Sequence, residues 1–243
     1  MTVLRVAPPI FEAFPEVRIG VVAFEGVRND RDGTELGALL ERESADAVRR
    51  LGATPVAEHA RVASWRDAYR RFGAKPKDHP SSIENLLRRV AKSGPPRRIH
   101  PLVDLYNAVS LRHFVPVGGE DLDAVSGDVQ LRFAGEQEPA VRLLGEPLES
   151  ARPPKPGEVI YADDLGALCR RWNWKESDRT KLTERTTRGF LVVEALPPVG
   201  PAELDAALAD LAALVERHCG GRARTGVLDR ESPSFRLDSP PSP

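Results

Sequence analysis

The chain has 243 residues, of which 41% are hydrophobic and 29% charged, and its formal net charge is −1. This length and composition suit one sizeable domain, and the near-zero charge excludes a strong overall attraction to nucleic acid or to an anionic membrane. Any role with nucleic acid would therefore depend on a local basic patch, and two cysteines with five scattered histidines predict neither a disulfide framework nor a metal site.

The first half of the chain is predicted to be one strand followed by helices. β-Branched residues predict the strand, and apolar residues at helical spacing predict each helix. Ser81 stands three residues before Glu84, which is the spacing of a helix-capping box. The strand is predicted at 17–27 and the helices at 33–51, 60–73, 81–94 and 101–111.

Beyond Pro116 the apolar residues alternate with a period of two, which is typical of strands. Strands are predicted at 128–134, 140–145, 158–174 and 188–196, with a hairpin turn at 164–166. One long helix follows at 201–220, and the Pro/Ser-rich tail at 221–243 is predicted to be disordered. We therefore expect a single α+β domain over 1–220, with a mixed or antiparallel sheet flanked by helices.

Basic residues are concentrated in two segments. Eleven Lys and Arg face three acids in 61–100, and seven face three in 165–190. Such segments suit a phosphate backbone if they meet in space, whereas solvated helix faces are the simpler interpretation. Trp172, which is more often a core residue in this context, alternates with cations on a predicted strand and offers a stacking ring. The candidate RNA-binding residues are Arg88, Arg89, Arg97, Arg98, Arg170, Arg171, Trp172 and Lys175.

Polar residues inside apolar segments are the remaining candidates. The chain has no nucleophile elbow, P-loop, dinucleotide-binding loop or zinc-protease motif, and the lone Cys169 is weak evidence for a nucleophile. Asp104 and Asn107 are three residues apart on one predicted helix, so they share a face. Each either locks the following 114–119 loop or enters a pocket, and Glu194, alone in an apolar strand, presents the same choice.

The segment "RIHPLVDLYNAVSLRHFVPVGGEDLD" resembles the editing-module motif of the phenylalanyl-tRNA synthetase β subunit, approximately "RPINNVVDxTNYVMLExxQPMHAFD". The segment "EVIYADDLGALCRRW...TERTTRGFLVVEALPP" resembles the second half of that module. The chain is most similar to free-standing B3/B4 tRNA-binding domain proteins, over about 60–196. This resemblance implies that Asn107, Pro116 and Glu194 belong to an amino-acid pocket and that Asp104 is a structural lock.

The chain also departs from the family pattern. Gly118 stands where the family has a histidine, although His100 or His113 could approach from elsewhere. "ALCRRWNW" replaces a run of small pocket-lining residues, which implies a smaller or reshaped pocket. The aminoacylation domain is absent, so the resemblance implies neither amino-acid activation nor a synthetase α subunit as partner.

Three functions remain open after this comparison. The leading hypothesis is a hydrolase that acts in trans on mischarged aminoacyl-tRNA, without a cofactor. The second is a non-catalytic module that binds tRNA or an amino acid, and the third is a hydrolase or sensor for a small amino-acid-like ligand. We expect a cytoplasmic protein, because two cysteines without a disulfide framework suit a reducing compartment. We expect no membrane partner, because no segment approaches the roughly 18 apolar residues of a span and prolines interrupt the N-terminal apolar residues.

Overall fold

The computed structural model describes residues 1–30 and 34–238, which form six α-helices and ten β-strands in two sheets. The helices are α1 (Pro8–Ala13), α2 (Thr34–Leu51), α3 (Ala60–Arg71), α4 (Ser82–Ser93), α5 (Pro101–His113) and α6 (Pro201–Cys219). The strands are β1 (Val3–Val6), β2 (Arg18–Glu25), β3 (Val117–Asp121), β4 (Val129–Phe133), β5 (Val159–Asp163), β6 (Gly166–Arg170), β7 (Lys175–Glu176), β8 (Arg188–Ala195), β9 (Arg222–Leu228) and β10 (Ser234–Arg236). The α+β class is confirmed, and the helix at 81–94 begins as predicted, with Ser81 Oγ accepting from the backbone N–H of Glu84.

A four-stranded antiparallel sheet forms the centre of the main core, in the order β3-β8-β2-β9. Its inner strands β2 and β8 are buried along nearly their whole length, which explains their continuous apolar sequence. Helix α6 packs on this sheet, and a Cβ at Gly20 would lie 2.7 Å from Leu208 Cδ2. Glycine at position 20 therefore permits the close approach of helix and sheet.

The second sheet has six strands in the order β10-β1-β4-β5-β6-β7 and is mixed, because β1 and β4 run parallel. The predicted hairpin is confirmed, since β5 and β6 pair antiparallel on either side of residues 164–165. β5 and β8 belong to different sheets, and side chains from both reach the same cavity.

Two predicted strand segments are wrong. Residues 140–145 form only isolated bridges, Val141 with Arg152 and Leu143 with Ser177. The strand predicted to continue to 174 ends at Arg170, because Arg171 and Trp172 adopt positive φ angles of 48° and 65°. Left-handed backbone at two successive residues turns the chain back, which alternation in the sequence does not indicate.

The predicted disorder of the tail is wrong for 222–237. Strand β9 pairs with β2 and β10 pairs with β1, so the tail supplies an edge to each sheet. Backbone pairing satisfies the exposed edges of β2 and β1 and outweighs the tail's polar composition. The last five residues of the predicted tail, 239–243, lie outside the described residues, as does Gly33 at the predicted start of α2.

Candidate functional site

A cavity of about 310 Å³ lies between α4, α5, the edge strand β3, β8 and the turn that follows β6. Asn107 from α5 and Glu194 from β8 both line it. Two residues 87 positions apart in sequence are thus brought to one concave site. The resemblance predicted both as pocket residues, and the fold places both in the cavity wall.

Glu194 is buried and held by two neighbours. Tyr161 Oη donates to its Oε1 over 2.7 Å, and Asn173 Nδ2 donates to its Oε2 over 2.6 Å. Tyr69 Oη in turn donates to Asn173 Oδ1 over 2.8 Å, which fixes the amide orientation. Burial raises the pKa of Glu194 to about 7, although these hydrogen bonds oppose the rise. The carboxyl group of Glu194 therefore changes charge near neutral pH.

Asn107 has a different environment from Glu194. It is half-buried on α5, and its amide forms no hydrogen bond with any described residue. A half-buried amide facing a cavity has a donor and an acceptor that a ligand can use. Pro116 does not line the cavity, but its carbonyl accepts from the backbone N–H of Glu194 over 3.1 Å. Pro116 therefore supports the strand that carries Glu194.

Asp104 acts as a structural lock, as the resemblance implies, but on the preceding segment rather than the 114–119 loop. Its fully buried carboxylate accepts from the backbone N–H of Ile99 over 3.0 Å and from Arg98 Nε over 3.2 Å. The 114–119 loop is held instead by Ser110, whose hydroxyl donates to the carbonyl of Val115 over 2.6 Å.

Two further carboxyl groups, which the sequence did not single out, line the cavity. Glu120 belongs to β3 and is 6% exposed, and its Oε2 is buried without a hydrogen-bond partner. Burial first and the charge of Glu176 next raise the pKa of Glu120 well above its ordinary value. Burial likewise raises the pKa of Glu176, on β7, to about 7. Neither residue lies in an apolar segment, so neither stands out in the sequence. The two become neighbours only because β3 and β7 line the same cavity.

The cavity also has a basic side. Arg89 on α4 and Arg97 in the α4–α5 segment line it and are exposed, and neither forms an ion pair with a described residue. Lys175 lines it too, but its Nζ lies 2.7 Å from Glu146 Oε1. Of the predicted RNA-binding residues, Arg89 and Arg97 are the ones whose charge is most available to a ligand.

Arg170 and Trp172, two of the predicted RNA-binding residues, are buried rather than exposed on the surface. Arg170 is 5% exposed and forms two hydrogen bonds with Glu158, at 2.9 and 2.8 Å. Trp172 is fully buried against Phe14 and Trp65, with ring centroids 4.9 and 5.1 Å away. Both are core residues because the chain turns inward after β6.

The remaining predicted RNA-binding residues are partly engaged within the protein. Arg171 is half-buried, with its guanidinium 4.5 Å from the centroid of the Trp174 ring. Arg88 lies 2.5 Å from the buried Glu84, and Arg98 pairs with Asp104. These cations stabilise the fold around the cavity, and their contact with RNA stays a prediction.

Among the described residues that line the cavity there is no histidine. His100 contacts Asn29 Nδ2 at 2.9 Å and the Leu182 carbonyl at 3.2 Å, and His113 contacts Asp210. Neither replaces the family histidine, and a Cβ at Gly118 would meet no atom within 4 Å. Over residues 1–30 and 34–238, no three His, Cys, Asp or Glu residues are grouped as metal ligands.

The fold and the cavity together define an α+β domain with a pocket that is acidic inside and basic at its opening. Residues 64–220, more than half of the chain, match the B3/4 domain, and the chain belongs to that family. A comparison with curated proteins gave no match. Within the described part of the chain, no helix is long and apolar enough to span a membrane.

One similar solved structure is an N-terminal fragment of the phenylalanyl-tRNA synthetase β subunit from Pyrococcus horikoshii. It is 14% identical in sequence, with a TM-score of 0.47. The match covers 91% of this chain and 50% of that chain, so the protein spans half of the fragment.

Proposed function

We propose that the protein binds tRNA in the cytoplasm and hydrolyses the ester of a mischarged aminoacyl-tRNA. The observation that carries this proposal is the meeting of Asn107 and Glu194 in one cavity that has Arg89 and Arg97 on its open side. The B3/4 family membership adds support. In this proposal the cavity holds the amino acid and the two arginines attract the phosphates of the acceptor end.

The volume of the cavity favours placing the amino acid inside it and the tRNA outside. About 310 Å³ is near the lower limit of small-molecule pockets, which suits one amino acid rather than a nucleotide. The tRNA must then lie on the outer surface, where exposed cations interact with phosphates. Arg97 and Arg89 lie at the boundary between these two regions.

The chemistry requires positioning rather than a covalent intermediate. Cys169 lines the cavity, but burial and the neighbouring carboxylates raise the pKa of its thiol well above its ordinary value. A protonated thiol is a poor nucleophile. Water therefore attacks the ester carbonyl, the bond to the ribose oxygen breaks, and the free amino acid and the ribose hydroxyl are the products. A ribose hydroxyl of the terminal nucleotide can assist the proton transfer, and orientation alone lowers the barrier by several kcal/mol.

A non-catalytic binding module is the second candidate. Gly118 replaces the family histidine, which removes a side chain that would approach the ester, and this observation favours binding alone. The unpartnered amide of Asn107 is compatible with either function. Only a measurement of ester hydrolysis separates the two.

The test is deacylation of a tRNA pool charged with each amino acid in turn. Wild type, Asn107→Ala and the control Gln137→Ala, an exposed amide outside the cavity, are compared. Rapid release of one or a few amino acids, slowed in Asn107→Ala but not in Gln137→Ala, supports the hydrolase. Absence of release across the set, with tRNA binding intact, refutes it in favour of the binding module.

A further inference from the structure

The side of the cavity formed by β3 and β7 has an unusual surplus of carboxyl groups. Glu120 and Glu176 both face the cavity, and the Oε2 atom of Glu120 is buried without a hydrogen-bond partner. Leaving a carboxylate oxygen buried and unpaired is costly, and a ligand that donates a hydrogen bond to it would remove that cost. Glu194, the third carboxyl group of the cavity, differs from Glu120 and Glu176 because both of its oxygens accept hydrogen bonds from the protein.

The cations nearest to these two carboxyl groups are already engaged. Arg179 donates to both oxygens of Asp163, at 2.9 and 2.7 Å. Lys181 Nζ donates to Asp178 over 2.6 Å. Glu176 forms no ion pair with a described residue, so the pair is neutralised either by bound protons, as the raised pKa values indicate, or by a cationic ligand from outside the protein.

We propose that Glu120 and Glu176 form a receptor for a protonated primary amine that enters the cavity. An ammonium group has three donors and no acceptor, which matches two acceptor-rich carboxylates with an unpaired oxygen. The receptor would select ligands that carry a positive charge at this depth and disfavour neutral analogues of the same shape, because these leave the carboxylates unpaired. The inference deepens the proposed function, since every aminoacyl ester has such an amine, but it can be tested without RNA.

The amine has two possible sources, the α-amino group and a basic side chain. Four small probes distinguish them: norleucine amide, lysine amide and the Nα-acetyl derivative of each. Binding is followed by chemical-shift changes in NMR titrations of the intact protein. If the α-ammonium group is recognised, both acetylated probes bind at least about tenfold more weakly than their parents. If a side-chain ammonium is recognised, both lysine probes bind and both norleucine probes bind at least about tenfold more weakly.

The variants Glu120→Gln and Glu176→Gln keep the side-chain shape and remove the charge. We expect each to weaken binding of the preferred amine at least about tenfold, because each removes one partner of a desolvated charge pair. Glu136→Gln, at an exposed carboxylate outside the cavity, is the matched control and should bind as wild type. Melting temperatures verify that both variants fold.

Equal affinity for charged and acetylated probes within both pairs, with lysine no better than norleucine, would overturn the amine receptor. So would undiminished amine binding by both folded variants. These outcomes are independent of deacylation, because free amides contain no ester and no RNA. A protein that binds amines through Glu120 but releases no amino acid from tRNA would keep this inference and lose the hydrolase.

Discussion

Tyr161 and Glu194 join the two sheets at the floor of the cavity. Tyr161 lies on β5 of the six-stranded sheet and Glu194 on β8 of the four-stranded sheet, and the hydroxyl donates to Oε1 over 2.7 Å. Neither strand hydrogen-bonds to the other through its backbone. This side-chain contact therefore orients the pocket carboxylate and links the two layers.

Tyr161→Phe should destabilise the protein by about 1–3 kcal/mol, because it removes a hydrogen bond to a buried, ionisable acceptor. The cost should be larger at pH 8 than at pH 5, since the ionised Glu194 depends more on its donors. Urea unfolding at the two pH values measures this. Tyr106→Phe, which alters a phenol in the same cavity that is not bonded to Glu194, is the control. A cost independent of pH would mean that the hydroxyl does not stabilise the charged form.

The raised pKa of Glu194 predicts that stability falls as pH increases. The ordinary value is 4.5 and the folded value is about 7, so between these values the folded protein keeps a proton that the unfolded chain releases. Stability from this group is therefore lost between about pH 4.5 and 7, by a total on the order of 3 kcal/mol. Burial raises the pKa of Glu176 to a similar value, which adds a loss in the same direction.

Glu194→Gln should flatten this dependence. We expect the difference in unfolding free energy between pH 5 and pH 8 to shrink, whereas the exposed control Glu136→Gln should leave it unchanged. Chemical denaturation at both pH values is the measurement. An equally steep pH dependence in Glu194→Gln would show that other groups account for it.

The basic opening predicts which cations contact RNA. Arg89→Ala and Arg97→Ala should each weaken tRNA binding and lower the slope of log K against log salt by roughly one phosphate contact. Arg222→Ala removes the same charge from exposed β9 outside the cavity and is the control. Measuring the tRNA affinity of each variant at salt concentrations from low to physiological gives these slopes. If Arg222→Ala and Arg97→Ala reduced binding equally, the effect would be one of total charge.

Arg170 should behave in the opposite way. Arg170→Ala leaves the buried Glu158 without its cationic partner, so we expect a loss of about 3–5 kcal/mol in unfolding free energy. Once the variant is folded at low temperature, its tRNA affinity should be close to wild type. A stable variant with impaired RNA binding would restore the surface assignment that burial of Arg170 argues against.

The fold was largely predictable where sequence periodicity decides it. All four helices from 33 to 111 and the helix at 201–220 were predicted from apolar spacing, and the β5–β6 hairpin from its turn residues. The ordered tail could not be predicted, because its strands exist only through pairing with β2 and β1. Local composition does not indicate which strands of the folded protein have an unpaired edge with which the tail can form hydrogen bonds.

The candidate site was predictable only in part. Asn107 and Glu194 stood out as polar residues in apolar segments and matched the family motif. Glu120 and Glu176 did not, since their proximity depends on β3 and β7 reaching the same cavity. The burial of Trp172 was not predictable from strand alternation, because its positive φ ends the strand and directs the ring into the core.

Gly118 offers a way to block the cavity without removing any functional group. It lines the cavity, its backbone does not require glycine, and a Cβ there would have open space. Gly118→Leu should therefore fold normally and abolish both ester hydrolysis and amine binding by filling the cavity. Thermal denaturation and deacylation assays test this together. Wild-type deacylation in a folded Gly118→Leu variant would place the reaction elsewhere.

The most direct test of the central claim is a crystal structure with a non-hydrolysable substrate analogue. An adenosine that carries the released amino acid through an amide at its 3′ position mimics the reacting end of the tRNA. We predict that the amino acid lies in the cavity within hydrogen-bonding distance of Asn107, with the adenosine towards Arg97. An analogue bound elsewhere on the protein, with Asn107 untouched, would contradict the assignment of this cavity as the amino-acid site.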